Sequence, residues 1–354
     1  MFNFFLYVAQ EVREVLAHLG YTRLSDVIGR ADLVVPRDRQ LHKTTGLDLS
    51  FLGQMPDVRT DREWEPEVLE PWAQTDTLDD ELLSRDDVTG AIESHQKIKV
   101  EVPIRNTDRA IGARVAGVVA QAHGNRGWRG GIHFKFTGSA GQSFGFSCLD
   151  GLDLEVVGEA NDYVGKSMHG GRIRIRPVDG NIGFDPSKSV IIGNTCLYGA
   201  TGGRFFASGR AGERFCVRNS NALAVVEGTG DHCCEYMTGG IVVALGPVGR
   251  NVGAGMTGGW GYFLEEEEGY SLASRINKDV QVQRVNPIGA AQLRGLIEEH
   301  VEATGSAKGS EILANWEKYL PKFCQVYPLS ESEAPEVSGV AVGSALADEP
   351  AVAV

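Results

Sequence analysis

From residue 132 to residue 265 the chain repeats one event about every nineteen residues. A short strand-like run ends on a turn residue, at Gly138, Gly158, Pro177, Gly193, Gly209, Gly228, Gly246 and Glu265, giving steps of 20, 19, 16, 16, 19, 18 and 19. Within the runs apolar and polar residues alternate, as in Ile132, Phe134 and Phe136, or Ile173 and Ile175 set between Arg172, Arg174 and Arg176. Strands of a sandwich return about every 8–12 residues. Twice that spacing fits one winding of a solenoid, whose coils bury their apolar faces only against each other.

Glycine makes such stacking feasible. The chain holds 45 glycines in 354 residues, with only 13 prolines and no collagen-like period. Doublets at Gly170–Gly171, Gly202–Gly203, Gly239–Gly240 and Gly258–Gly259 each directly precede a strand-like run. Stacked coils bring turn backbones to strand spacing, about 4.8 Å. A side chain clashes there, and positive φ is cheap only for glycine. The pattern predicts a mainly β chain, a right-handed parallel β-helix over 97–270, with strands between Lys97 and Leu264. The hand follows from the rule for parallel crossovers.

Helical periodicity frames this region. Phe5, Val8, Val12, Val15 and Leu19 recur at three- and four-residue steps before Gly20, and a short helix fits Arg23 to Ile28, so 1–35 reads as helical. Residues 36–96 read as an extended acidic connector with one helix near Leu78–Leu83. Over 271–329, Pro287 opens a helix carrying Leu293, Leu296, Ile297 and Val301 to Gly305; a second carries Ile312, Leu313, Trp316 and Leu320 and stops before Pro321. Both are expected to cover the open end of the solenoid, where strand edges need protection. The small, acidic, proline-containing stretch 330–354 predicts disorder.

Charge narrows the partners. Lys and Arg number 34 against 47 Asp and Glu, a net charge of −13, and 13 acids against 3 bases fall between Asp57 and Glu93. A polyanion needs a basic footprint, so nucleic acid is excluded as a partner. The acidic block is expected on a solvated surface. Six cysteines (Cys148, Cys196, Cys216, Cys233, Cys234 and Cys324) form no CxxC pair and no disulfide framework, which points to a reduced, intracellular setting. Residues 1–9 are apolar, but Glu11, Arg13 and Glu14 follow at once, so no signal peptide is read. No run of 18 apolar residues occurs, so no membrane span is expected.

Motifs that carry chemistry elsewhere read differently here. Gly253-Ala-Gly255-Met-Thr-Gly258 matches a dinucleotide fingerprint, which requires a helix directly after it. Trp260-Gly-Tyr-Phe-Leu264 follows instead and reads as a strand. Asp231-His-Cys-Cys-Glu235 gathers metal-friendly groups, but adjacent Cys233 and Cys234 would face opposite sides of a strand. Asp231 and Glu235 are candidate anchors for turn N–H groups instead. Asn194 and Asn219 are expected in left-handed backbone, bonding along the stack. Polysaccharide-cleaving chemistry needs two converging carboxylates, whereas Asp153 and Glu155 alternate outward singly. No catalytic, cofactor-binding or metal-ligating residue is assigned.

Longer runs carry a resemblance. Gly138-Ser-Ala-Gly-Gln-Ser-Phe-Gly145, Glu159-Ala-Asn-Asp-Tyr-Val-Gly165, Gly193-Asn-Thr-Cys-Leu-Tyr-Gly-Ala-Thr-Gly-Gly203, Glu235-Tyr-Met-Thr-Gly-Gly240 and Asn315-Trp-Glu-Lys-Tyr-Leu-Pro321 resemble the carboxy-terminal glycine-repeat domain of glutamate synthase large chains. The stretch Glu11–Asp32 is similar to the end of that family's flavin domain, just after its iron–sulfur cysteines. The Asp231–Glu235 form leans toward the ferredoxin-dependent, cyanobacterial or plastid type. Cys324 stands where the family usually has Trp, and Ser147-Cys-Leu-Asp150 replaces a more usual Asn/Pro turn.

The resemblance implies a role by association. The family makes glutamate from glutamine and 2-oxoglutarate, passing ammonia to a site with FMN and an iron–sulfur cluster. Neither its initiator-adjacent cysteine nor its three-cysteine cluster motif occurs here. The implied function is therefore a structural domain that spaces and docks the remaining glutamate synthase domains, binding no cofactor itself. Ferredoxin would be met only indirectly, because it is acidic and residues 57–93 repel it. The implied location is the cytoplasm, or the plastid stroma in a photosynthetic eukaryote. The rival is a stand-alone β-helix scaffold of another redox complex, like a formylmethanofuran dehydrogenase subunit. The flavin-domain-like helix at the start distinguishes them, since a free scaffold has no reason to carry it.

Overall fold

The computed structural model describes residues 2–35, 46–54, 76–180, 184–266 and 271–340. Two units divide the chain, 1–73 and 74–354. In the first, α1 (Phe2–Leu19) ends at Gly20, where φ is 81° and the Tyr21 N–H returns to Leu16 O at 2.8 Å. The expected second helix is a single 3-10 turn, Leu24–Asp26, with no side chain capping it.

The second unit begins with α2 (Leu78–Leu83), opened by a reciprocal Thr77–Asp80 capping box, and α3 (Asp86–Ser94). So the described end of the expected connector is a helix pair, while its residues 36–45 and 55–75 lie outside the described residues. The acidic block also does more than face solvent. Asp79 is buried, and its carboxylate accepts the N–H groups of Gly112 and Arg114, both at 2.8 Å. These open α4 (Ala113–Gly127), whose own N-cap residue is a glycine without a side chain to offer.

Between these helices runs β1 (Lys97–Ile104), followed by β2 (Gly131–Ala140), β3 (Leu152–Ala160), β4 (Arg172–Arg176), β5 (Val190–Ile192), β6 (Arg204–Ala207), β7 (Arg210–Ala211), β8 (Leu223–Val226), β9 (Thr238–Ala244) and β10 (Gly258–Leu264). One parallel sheet takes them in the order β1-β2-β3-β4-β6-β8-β9-β10, the wall of a solenoid of about six turns. Leu154, Ile173, Phe205, Ala224 and Val242 stack in register inside it, at steps of 19, 32, 19 and 18 residues. The two sixteen-residue steps of the sequence are thus halves of one long coil. Val190–Ile192 is not a rung of the main sheet; it pairs with Arg210–Ala211 on a second wall. Its apolar run satisfies the same alternation rule, which cannot say which wall a strand joins.

Glycine doublets do the expected work. A Cβ on Gly239 would lie 2.0 Å from the Ser220 carbonyl oxygen of the preceding coil, and Gly240 takes φ 88°.

Outward, the sheet changes character along its stack. His133, Asp153, Arg172 and Arg204 give way in register to Leu223, Ile241 and Trp260. The apolar half carries a second core, closed by α5 (Pro287–Thr304) and α6 (Ala307–Ala314) through Leu293, Leu296, Ile297 and Ile312. The carboxy-terminal helices therefore cover a face of the solenoid, not its end. The end is continued by β12 (Phe323–Tyr327), antiparallel to β10, and by β11 (Gln281–Arg284) beyond it. The expected second helix breaks into α6, α7 (Trp316–Tyr319) and a 3-10 turn containing Pro321.

Disorder from residue 330 is corrected in part. The Glu331 carboxylate accepts the Gly259 N–H at 2.8 Å, and α8 (Pro335–Ser338) follows, with the Glu336 carbonyl accepting from Asn286 Nδ2 at 2.8 Å. Residues 341–354 lie outside the described residues.

Candidate functional site

Opposite the main sheet, each coil returns through a six-residue run in which every second residue has positive φ. These positions are 143, 145 and 147, then 163, 165 and 167, 195, 197 and 199, 214, 216 and 218, 232, 234 and 236, and finally 251, 253 and 255. Thirteen of these eighteen positions are not glycine. Left-handed backbone costs a non-glycine residue about 1–2 kcal/mol, so the runs persist only because their neighbours fix them. In one run the Tyr163 N–H donates forward to Asn194 O at 2.9 Å, Gly165 back to Phe144 O at 2.9 Å, and Ser167 forward to Tyr198 O at 2.8 Å. The next run repeats the scheme from Thr195, Leu197 and Gly199.

Side chains lock the same coils. Asp162 Oδ1 accepts the Asn194 N–H at 2.7 Å, Asn194 Oδ1 that of Glu213 at 2.8 Å, and Asp231 Oδ1 that of Arg250 at 2.7 Å. Asn194 and Asp231 thus bond along the stack as expected. The left-handed residues, however, are Thr195 and Arg218, not the asparagines beside them, and the Asn219 side chain bonds within its own coil, to Asn221 and Ala222. Glu235 is no backbone anchor; its carboxylate meets Arg214 Nη1 at 3.3 Å.

The outer surface of this wall carries aromatics. Lys166 Nζ stands 5.9 Å from the Phe146 ring, 5.5 Å from Tyr163 and 5.9 Å from Tyr198, within reach of cation–π attraction to all three. No carboxylate lies within salt-bridge distance of Lys166 among the described residues. A groove of about 610 Å3 runs beside it, lined by Tyr163, Asn194, Tyr198 and Arg214 and also by Asp162 and Glu213, neither of which comes within salt-bridge distance of Lys166.

Several charges on the open half of the main sheet pair with one another. Arg174 grips Asp153 through two bonds of 2.9 and 2.8 Å, and Glu155 meets Arg176 at 3.1 Å and His133 at 2.9 Å. Burial raises the Glu155 carboxyl, but Arg176, Arg174 and His133 together outweigh it and hold its pKa below the usual glutamate value. Neither carboxylate is free to act as an acid or base.

The metal-friendly run also resolves. Cys233 and Cys234 lie in a turn run, not a strand, so both side chains are buried, with sulfurs 3.6 Å apart. No three His, Cys, Asp or Glu side chains converge on a metal position among the described residues. Burial pushes the Cys148 and Cys196 thiols up to about 12, far from the thiolate an iron–sulfur cluster requires. After Gly253–Gly258 comes β10, so no helix N-terminus is presented to a flavin or dinucleotide phosphate. The groups named here, among the described residues, do not fit either cofactor. Of the two departures noted in sequence, Asp150 Oδ1 holds the Gly171 N–H at 3.0 Å, and Cys324 Sγ lies 3.0 Å from Arg284 Nη1.

The fold defines a class of parallel β-solenoids with glycine-stacked coils, and residues 79–329 match the GXGXG motif family, to which the chain belongs. Its relatives specify the setting: it resembles the carboxy-terminal region of ferredoxin-dependent glutamate synthases. It is 54% identical over 344 residues to ferredoxin-dependent glutamate synthase 1, chloroplastic/mitochondrial, of Arabidopsis thaliana, covering 96% of this chain and 21% of that protein. The spinach chloroplastic enzyme is 52% identical over 340 residues, covering 96% and 21%. Ferredoxin-dependent glutamate synthase 2 of Synechocystis is 52% identical over 343 residues, covering 95% and 22%. The chain thus spans about a fifth of the length of these curated relatives.

Proposed function

We propose that this chain is the structural carboxy-terminal region of a glutamate synthase, holding the domains that form glutamate from glutamine and 2-oxoglutarate at fixed spacing. The observation that carries this reading is identity above 50% along nearly the whole chain to one fifth of a longer enzyme, on a fold whose ionisable groups are spent on stacking. FMN and the iron–sulfur cluster belong to the remaining four fifths, as does contact with ferredoxin. The mechanism is mechanical: a coil fixed by interlocked turns does not bend under its neighbours, so it sets distances between them. The chloroplastic relatives favour a plastid stroma, or the cytoplasm of a bacterium.

A chimera tests this. Replacing the matched region of the Synechocystis enzyme with this chain should retain its flavin and iron–sulfur absorption and its glutamate formation. This chain alone should be colourless and inactive. A chimera that assembles with its cofactors yet makes no glutamate, or flavin bound by this chain alone, would overturn the reading.

A further inference from the structure

The scaffold reading leaves open which surface is docked, and three of the solenoid's outer regions can be weighed against one another. The apolar half of the main sheet is already closed by α5 and α6. On its other half, Arg174–Asp153, Arg176–Glu155 and Lys99–Glu101 are paired internally, so a partner would have to break these ion pairs to gain new ones. The turn wall differs from both. Tyr163 is 38% exposed and Tyr236 56%, and Lys166 sits among three rings with no acid within salt-bridge distance among the described residues, although Asp162 and Glu213 line the same groove. Exposed Arg218 also has no acid partner among the described residues.

Resting on the scaffold reading, we propose that the turn wall around Phe146, Tyr163, Lys166 and Tyr198 is the surface on which the rest of the glutamate synthase chain docks, through a carboxylate-bearing patch that meets Lys166. Tyrosine is enriched among the residues that carry interface energy, because it buries large area at little entropic cost. An ammonium held by ring faces is pre-positioned but not neutralised, so an incoming carboxylate gains attraction without displacing an existing partner. In a chain of net charge −13, an unneutralised cation on an aromatic floor selects an acidic partner surface locally against the overall repulsion. The Tyr163 and Ser167 N–H groups donate forward to Asn194 and Tyr198 while the Lys166 carbonyl accepts the Ser147 N–H of the preceding coil, so the backbone of the patch is already ordered before a partner arrives. About four fifths of the relatives' length lies outside this chain, which supplies the occupant.

Hydroxyl-radical footprinting of this chain alone and of the Synechocystis chimera decides it. Oxidation of Phe146, Tyr163 and Tyr198 should fall several-fold in the chimera, while acetylation of Lys97 and Lys99 on the open sheet half stays unchanged. Lys166→Glu in the chimera should return Tyr163 oxidation toward the rate of the isolated chain, and Lys166→Arg should not. Protection confined to the sheet half, with the turn-wall rings oxidised as in isolation, overturns this assignment and leaves the scaffold reading intact. A chimera with no protected face anywhere defeats both.

Discussion

Asp79 is the sharpest test of how the solenoid is stopped. It lies 33 residues before Gly112, yet its two oxygens take the Gly112 and Arg114 N–H groups at 2.8 Å each and so cap a helix that has no cap of its own. In Asp79→Ala the Gly112 N–H is left buried without an acceptor, costing about 1–3 kcal/mol, and the loss of a cap at Arg114 adds about 1 kcal/mol. The expected loss is therefore about 2–4 kcal/mol in urea unfolding followed by circular dichroism. Asp79→Asn keeps one acceptor oxygen and should lose about half of that. The neighbouring Asp80→Ala removes the capping box of α2 together with a largely exposed ion pair to Arg114 and should cost about 1 kcal/mol. Burial raises the Asp79 pKa above its ordinary value, the backbone N–H bonds offsetting this only in part. A raised carboxyl pKa favours the folded state below the unfolded value and loses that contribution as pH climbs through the folded value. Wild type should accordingly gain on Asp79→Asn as pH is lowered from 7 toward 4. Equal stability of Asp79→Ala and wild type within 0.5 kcal/mol would refute the remote cap, a margin set by ordinary surface substitutions of about that size.

Further outcomes follow from other parts of the molecule. Gly239→Ala places a Cβ 2.0 Å from Ser220 O, a backbone atom that cannot retreat without opening the ladder, so a loss of about 3 kcal/mol is expected in the same urea assay. With all six cysteines buried and Cys148 and Cys196 pushed up to about 12, a thiol reagent at pH 8 should label none of the six in the native chain and all six in urea. Rapid native labelling of either would contradict the packing. Because Phe2, Phe4, Phe5 and Tyr7 are each more than 60% exposed on α1, sedimentation should show concentration-dependent association that Phe4→Glu with Phe5→Glu abolishes.

Much of this architecture was legible because stacking imposes a constant step. The strands of β2, β3, β4, β6, β8, β9 and β10 fall where alternating runs close on turn residues, and Gly239–Gly240 marks a contact that excludes a side chain. The turn wall was not legible. Its left-handed positions are filled by residues such as Leu197, Arg214 and Cys234, which carry no local preference for that backbone. Only the neighbouring coils hold them there, and tertiary constraint of this kind leaves no trace in one sequence. For the same reason Cys233 and Cys234 looked like opposite-facing strand residues, when an αL residue turns both inward. The place of α5 was recoverable: the outward residues change from Arg172 and Arg204 to Leu223, Ile241 and Trp260, and an apolar sheet face needs a cover.

That change of face also explains how one solenoid can be both closed and open. Arg204 sits at the border, where Glu299 of α5 meets it at 2.5 Å; beyond it Trp260 Nε1 and Tyr262 Oη each reach Gln292 Oε1 at 2.9 Å. The helix is thus held by polar contacts at both margins of an apolar seat, which fixes its register more tightly than burial alone. It leaves the earlier coils uncovered on the sheet side, where internal ion pairing keeps them content in water. Among the described residues no helix covers the turn wall, and Lys166 has no acid within salt-bridge distance there. On the proposed scaffold reading, the sheet face seats the chain's own helix, and the aromatic area around Lys166 is the surface left for a neighbour.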